Sequence, residues 1–237
     1  NKVYKQYVCR GEMRVIIPCG GKSTRYPTNR PKYLLTMPDG RPMFMHAADP
    51  YYGKYPLTFV VVKEHCRLYD ADIAIKNAYD NNVSIVVLDE FAQGPADTVY
   101  RAIKDLPDTA FISHDCDGFF NYEIVDNADF VTTINLQNYP LLTNVAAKSF
   151  AVNEGTILKN IVEKSVISNY ICTGAYGFTS SNRYCKNFET IAKTTKQEIY
   201  ISHIIKHDLC NNDANFKTIE VSDYIDCGTY DDFINLS

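Results

Sequence analysis

The sequence predicts an α/β fold, and three observations carry that prediction. Short runs rich in Val, Ile and Phe at 15–17, 57–62, 83–88 and 109–113 alternate with helix-like segments at roughly 42–49, 64–80 and 95–105. Such alternation marks βαβ units and a mainly parallel sheet whose strands are buried on both faces. After residue 128 the pattern changes to strand-like stretches separated by turn signals, which adds a mixed or antiparallel layer. A chain of 237 residues, 46% hydrophobic and 22% charged, is long and apolar enough to bury one sizeable core.

Taken in order, residues 1–12 precede Met13 and read as a leader, tag or linker, leaving 13–237 as a single domain. In 64–80, Cys66, Tyr69, Ile73, Lys76 and Tyr79 recur near helical spacing, so one helix is expected there. The later strand-like stretches are 129–136, 144–152, 156–163 and 170–178, with Asn153-Glu154-Gly155 as the hairpin turn between two of them. Helices at about 181–192 and 197–209, a strand at 216–221 and a short helix after Thr229 complete the chain. In open α/β sheets ligands lie beyond the carboxyl ends of the strands. That rule gathers the segments 19–32, 89–98 and 113–119 around one cleft.

The net charge of −4 argues against a general nucleic-acid surface. No apolar run is long enough to span a bilayer, and no signal peptide is visible. The eight cysteines form no Cys-x-x-Cys pair or zinc spacing and read as reduced, mostly buried thiols, which favours the cytoplasm. No Gly-x-Ser-x-Gly is present, and His203 and His207 lack the context of a metal motif.

The stretch 13–35 carries the densest chemistry. An apolar run turns through Gly20-Gly21 into Lys22, Ser23, Thr24 and Arg25, and Lys32 follows Pro31. The stretch holds five basic residues, Arg14, Lys22, Arg25, Arg30 and Lys32, and no acid. Glycines that let the backbone approach an anion, followed by donors and cations, make a polyphosphate cradle. It is neither a Walker A loop nor a dinucleotide fingerprint. Alone, it reads equally as a turn with solvated charges.

Four more clusters stand out. Gln93-Gly94-Pro95-Ala96-Asp97-Thr98 joins a strand to a helix start and admits a flat ligand, though Asp97 and Thr98 also suit a helix cap. His114-Asp115-Cys116-Asp117-Gly118 ends a strand with two carboxylates, which suits Mg²⁺ or an Asp/Gly turn. Glu163-Lys164 is an acid–base pair at a strand end, which by itself reads more readily as a surface pair. The run from Asp223 to Thr229, containing Asp226 and Gly228, reads by itself as a turn before a helix.

In this order the clusters resemble the nucleotidyltransferases that make nucleotide-activated sugars from a nucleoside triphosphate and a sugar 1-phosphate. The resemblance runs from residue 13 to about 233. It rests on Gly20 to Arg25, Pro31-Lys32, Gly40-Arg41-Pro42-Met43 and Gly94 to Val99. It continues through Asp117, Glu163-Lys164, Thr173 to Phe178, Glu198-Ile199-Tyr200 and Asp226-Cys227-Gly228-Thr229. It implies a Rossmann-like, GT-A-like α/β fold with an added antiparallel substrate-binding layer, and Mg²⁺-dependent nucleotidyl transfer.

Carried over residue by residue, the resemblance gives Arg25 to the β/γ-phosphates and Lys32 to the α-phosphate. Gly20 and Gly21 lie along the nucleotide, Gln93 and Gly94 face the base, and Asp97 lies near the nucleoside. Asp117 and Asp226 hold Mg²⁺, with Asp115 as the alternative to Asp117. Glu163 takes acceptor hydroxyls, Lys164 takes the acceptor phosphate, and Gly174 leaves it room. The implied partners are an NTP (CTP, or UTP/dTTP) and a small phosphorylated acceptor, with no nucleic acid and no membrane. A homo-oligomer is compatible with all of this, and the implied product would feed surface glycan synthesis.

Two departures bear on the substrate. Ser23 replaces a family glycine, which suits a position of negative φ. Five residues separate Arg25 from Pro31, a spacing more like cytidylyltransferases that act on alcohol or sugar-acid acceptors. CTP and a phosphorylated non-sugar acceptor, such as a phosphocholine-like compound, are therefore an alternative. Asp115-Cys116-Asp117 also has the Asp-x-Asp form of metal-dependent glycosyltransferases, although a nucleotide-sugar needs fewer cations than the loop at 20–32 supplies. A non-catalytic nucleotide-binding subunit is the third reading.

Overall fold

The computed structural model describes residues 13–211 and 214–236. The reading of 1–12 as a leader, tag or linker lies outside them. In chain order the first elements are β1 (Arg14–Pro18), α1 (Met43–Ala48), β2 (Leu57–Val62), α2 (Lys63–Tyr69), α3 (Ala71–Ala78), β3 (Ser84–Leu88) and α4 (Pro95–Ile103). There follow β4 (Phe111–His114), β5 (Gly118–Asn121), β6 (Phe130–Asn135), β7 (Ser149–Glu154), β8 (Ile157–Glu163) and β9 (Tyr170–Phe178). The last are α5 (Ser181–Ala192), α6 (Ile201–Asn211), β10 (Lys217–Glu220), β11 (Ser222–Asp226) and α7 (Tyr230–Ile234).

Among the described residues nine strands form one sheet in the order β3-β2-β1-β4-β9-β6-β10-β8-β7, and β5 and β11 form a separate pair. The strands β3, β2, β1 and β4 are mutually parallel. Alternate side chains on them reach opposite faces. Val15, Ile17, Phe59 and Val61 pack with Phe44 and Ile75 of α1 and α3. Ile16, Val60 and Val62 pack with Val99, Tyr184 and Ile204 of α4, α5 and α6. Each such fully buried Val, Ile or Phe is worth about 1.5–3 kcal/mol, which is why these runs carry no polar alternation.

Four expectations are corrected. The sheet is not mainly parallel, because β9 runs antiparallel between β4 and β6, and only β6–β10 is parallel in the second half. Nor are the later strands a separate layer, since they extend the same sheet. The β7–β8 hairpin at the far edge turns through Gly155 at φ +57° and pairs back onto β9 through Phe150 and Ile171. Apolar runs identify strands but not their neighbours. The helix expected over 64–80 breaks into α2 and α3 at Asp70, whose φ of +51° lies in the left-handed region that Asp tolerates. Finally, Thr229 does cap α7, but the residues before Cys227 form β11 rather than a bare turn.

No helix among the described residues is long and apolar enough to cross a membrane. The seven described cysteines are free thiols, with Cys19, Cys116, Cys172 and Cys227 buried.

Candidate active site

The loop after β1 begins the site. The Cys19 N–H donates to the Val60 carbonyl (2.8 Å) and fixes the strand's carboxyl end. The chain then turns through Gly20-Gly21, and Tyr26 N–H closes a turn onto the Ser23 carbonyl (2.9 Å). Ser23 has φ +51°, so the negative φ expected for it is wrong; it occupies the left-handed region that glycine takes without strain. Its Oγ accepts the Lys32 N–H (3.2 Å), folding the loop onto its second cation. A cleft of about 690 Å³ opens beside this loop. Lys22, Arg25 and Lys32 line it, whereas Arg14 and Arg30 do not. Arg14 begins β1, at the end of the strand opposite the loop.

Opposite lie two carboxylates from distant parts of the chain. β4 delivers Asp115 and Asp117, while β5 pairs antiparallel with β11 so that Gly118 faces Asp226. The Cys227 N–H donates to the Asp117 carbonyl (2.8 Å), and the buried Tyr26 hydroxyl donates to the Cys227 carbonyl. The Gly-Gly loop, the β4 end and the β11 end are thereby tied together. A Cβ on Gly228 would lie 3.0 Å from Asp226 Oδ1, 3.6 Å from Arg25 Nη1 and 3.7 Å from Asp117 Oδ2, so all three converge on one point.

Two lysines stand on these acids. Lys32 pairs with Asp117, and Lys148 Nζ lies 2.5 Å from Asp226 Oδ2. Burial pushes the Asp117 carboxyl up, but Lys32, Lys148 and Arg25 outweigh it and hold the group at about 2. Burial likewise works against the Lys32 ammonium, and Asp117 outweighs it, raising its pKa. Asp115 behaves oppositely: burial, then the charge of Asp117, pushes it up to about 7. The segment is braced from beneath by His114, whose Nε2–H donates to the Gly118 carbonyl (2.9 Å) while Nδ1 accepts from Tyr51 (2.7 Å). Burial holds this ring's pKa down to about 4, so it is neutral.

One wall of the cleft comes from the start of α4. Gly94 has φ +139°, and a Cβ there would strike Glu198 Cγ at 2.7 Å and the Ile199 carbonyl at 2.9 Å. The other wall comes from β7, β8 and the start of α6. Glu163 accepts from Ser149 and from Ser202 Oγ (2.6 Å). The Lys164 ammonium lies 4.2 Å from the Tyr200 ring centroid and donates to its hydroxyl, which donates in turn to Glu198.

Every site residue named from the sequence except Asp97 lines this cleft. Asp97 is buried behind the wall, where its carboxylate accepts the Gln93 N–H (2.8 Å) and binds Arg101 (2.8 Å). At the third position of α4 it reaches back to the preceding backbone, as acids there do, and holds Gln93 rather than facing a ligand. The space expected over Gly174 is taken up by Asp115, whose Oδ2 would be 2.9 Å from a Cβ at that position. Sequence reasoning missed Lys148, Tyr26, Ser149 and Ser202. Nothing in the local sequence of Lys148 or Ser149 signals a site, whereas Tyr26 directly follows Arg25 and Ser202 lies two residues after the Glu198-Ile199-Tyr200 run.

Among the described residues no group of three or more His, Cys, Asp or Glu side chains could hold a metal ion by itself. Two carboxylates converging on one point are nonetheless the donor set that Mg²⁺ completes with phosphate oxygens and water.

No protein-family model matches the sequence, and no curated protein matches it. Solved structures do match. The nucleoside-diphosphate-sugar pyrophosphorylase of Vibrio cholerae RC9 superposes with a TM-score of 0.77 at 20% identity, over 94% of this chain and 98% of that one. The inositol-1-phosphate CTP transferase of T. maritima gives 0.72 at 13% identity, over 94% and 92%. The CTP:phosphocholine cytidylyltransferase of Streptococcus pneumoniae gives 0.71 at 15%, over 95% and 97%. At these identities the likeness carries the architecture: this chain has the mixed α/β fold of the nucleotide-sugar pyrophosphorylases and CTP-dependent cytidylyltransferases.

Proposed function

We propose that this chain is a nucleotidyltransferase that condenses a nucleoside triphosphate with a phosphomonoester and releases pyrophosphate. One observation carries the reading: Asp117 and Asp226 meet across the β5–β11 pair, facing Arg25 and Lys32 in one cleft. On this reading the Rossmann-like half of the sheet, β3-β2-β1-β4, carries the nucleotide. Gly20 and Gly21 give the triphosphate backbone access, and Gln93 and Gly94 bound the base. Asp97 acts only through Gln93. Glu163 and Lys164 bind the acceptor.

An acceptor phosphate oxygen attacks the α-phosphorus, and the bond to the β-phosphate bridging oxygen breaks, with its electron pair leaving on pyrophosphate. Such a reaction needs little covalent help from the protein; positioning and charge neutralisation dominate. Arg25 neutralises the leaving β/γ-phosphates and Lys32 the α-phosphate. Asp117 and Asp226 would hold Mg²⁺, which when bound supplies further neutralisation of phosphate charge.

A cytidylyltransferase using CTP and a phosphorylated non-sugar acceptor is the second reading. It is favoured by the compact loop in which Ser23 Oγ binds the Lys32 N–H. Either reaction suits a cytoplasmic protein with free thiols that supplies a precursor for surface glycan.

The test is pyrophosphate release from four NTPs against sugar 1-phosphates and phosphorylated alcohols with Mg²⁺. Asp117→Asn should lower the rate by about 100-fold or more, with thermal melts to establish folding. Absence of release from every pair would sink the reading, and a near-wild-type rate in the variant would sink the role of Asp117.

A further inference from the structure

Lys148 lies outside every cluster the sequence singled out, yet it reaches the centre of the cleft. It follows the 3-10 turn Val145–Ala147 and precedes β7. Its ammonium lies 2.5 Å from Asp226 Oδ2, with the two side chains only 18% and 6% exposed, and 3.5 Å from the Tyr224 hydroxyl. Its backbone belongs to the acceptor wall, because its carbonyl accepts the Lys164 N–H (3.0 Å) and the next residue, Ser149, pairs with Glu163. Lys32 makes the matching contact from the triphosphate side, on Asp117.

The two acids that would hold a dication are thus each covered by an ammonium, one from each substrate wall. A dication on those acids would leave both ammonium groups, whose side chains are only 14% and 18% exposed, without their acid partners, and an unpaired buried charge is costly. Phosphate oxygens are the groups that satisfy it best.

We infer that Lys148 is a further phosphate-binding residue, which rests on Asp226 in the free protein and transfers to the acceptor's phosphate when a cation takes Asp226. This rests on the proposed nucleotidyl transfer. It makes cation loading and acceptor binding mutually supportive, since each removes the partner that hinders the other.

The test begins with Mn²⁺ alone, titrated into wild type, Lys148→Met and Lys148→Arg and followed by electron paramagnetic resonance. Lys148→Met should bind Mn²⁺ tighter by about fivefold or more, while Lys148→Arg, which keeps the charge, should stay near wild type. Inorganic phosphate, as a stand-in for the acceptor's phosphate, should tighten Mn²⁺ binding to wild type and not to Lys148→Met. A residue that merely tethers β7 to β11 would give the opposite sign, with Mn²⁺ binding weakened alongside the urea midpoint. Mn²⁺ affinity unchanged or weaker in Lys148→Met, or phosphate coupling equal in the two proteins, overturns the inference.

In an active enzyme the variant should raise the acceptor KM about tenfold and leave the NTP KM unaltered; an unchanged acceptor KM also overturns it. If wild type turns over no substrate pair, the proposed function fails, and the Mn²⁺ and phosphate titrations still decide the exchange at Lys148.

Discussion

Gly94→Ala tests how the two walls of the cleft are coupled. Gly94 has φ +139° and ψ 174°, a region that is nearly exclusive to glycine and costs another residue about 1–3 kcal/mol. The added Cβ would sit 2.9 Å from the Ile199 carbonyl and 3.3 Å from its nitrogen. Those contacts are backbone, so they cannot rotate away as the Glu198 side chain can. Overpacking of this kind costs about another 1–3 kcal/mol. The sum of about 2–6 kcal/mol is a large share of the roughly 5–15 kcal/mol that holds a domain together.

The segment Glu198-Ile199-Tyr200 cannot retreat without breaking the bond from Ala96 N–H to the Ile199 carbonyl (3.2 Å). It also carries Tyr200, on which the Lys164 ammonium rests. Urea unfolding followed by circular dichroism should therefore show a lower midpoint at unchanged slope. Gly21→Ala is the control: nothing lies within 4 Å of its Cβ, so its stability should stay within about 0.5 kcal/mol of wild type. A Gly94→Ala loss as small as the control's would refute the reasoning.

Tyr26→Phe removes the hydroxyl that ties the Gly-Gly loop to the Cys227 carbonyl. It should cost about 1–2 kcal/mol in urea unfolding and lower pyrophosphate release; wild-type values of both would show that the tie does not matter. The pH dependence of stability should carry a signature of His114. Burial lowers its folded pKa to about 4 from 6.5, so between those values the unfolded chain binds the proton and the folded chain does not. Its contribution is then complete above pH 6.5 and is lost as pH falls toward 4, at about 1.4 kcal/mol per pH unit and about 3 kcal/mol in all. The raised pKa of Asp115 works in the opposite direction over the same window, so the informative quantity is a difference. The stability of wild type relative to His114→Gln should shrink by about 2–3 kcal/mol between pH 7 and 4.5, and a difference independent of pH would refute the burial argument.

Much of the first half of the fold was legible because β1, β2 and β4 are buried on both faces, so that 57–62 and β2 coincide residue for residue, whereas β3 is a partly exposed edge strand. The loop's place in the cleft was legible because Gly20, Gly21, Arg25 and Lys32 fall on one short stretch, although that stretch alone reads equally as a turn with solvated charges. Asp226 was reached only through the resemblance, since its meaning depends on the pairing of β11 with β5 and nothing beside it in sequence predicts that pairing. Lys148 shows the same barrier more plainly. Its neighbours, Ala147 and Ser149, are small and unremarked, and its role comes from a carboxylate far along the chain. Asp97 lies off the cleft for another reason: at a helix start an acid can face a cleft or reach back to the backbone, and composition does not choose between them. Ser23 failed because sequence does not report φ.

The form Asp115-Cys116-Asp117 suggests two equivalent metal carboxylates, as in the glycosyltransferase reading, but the two acids differ in kind. Asp115 lies against Gly174, its N–H donates to the Gly174 carbonyl (2.8 Å), and burial pushes its carboxyl up to about 7. Asp117 is held at about 2, chiefly by Lys32 working against burial. A carboxyl that still holds its proton near neutrality is a poor ligand for a hard dication, whereas one already ionised beside an ammonium needs only to exchange one cation for another. Asp226 has the same kind of neighbour as Asp117, an ammonium, supplied by Lys148. The pair matched in environment is therefore Asp117 with Asp226, joined by strand pairing, and not the pair adjacent in sequence. That match supports the proposed nucleotidyl transfer over a donor-sugar site built on Asp-x-Asp, because it sets two lysines where, on that proposal, two phosphate groups would meet.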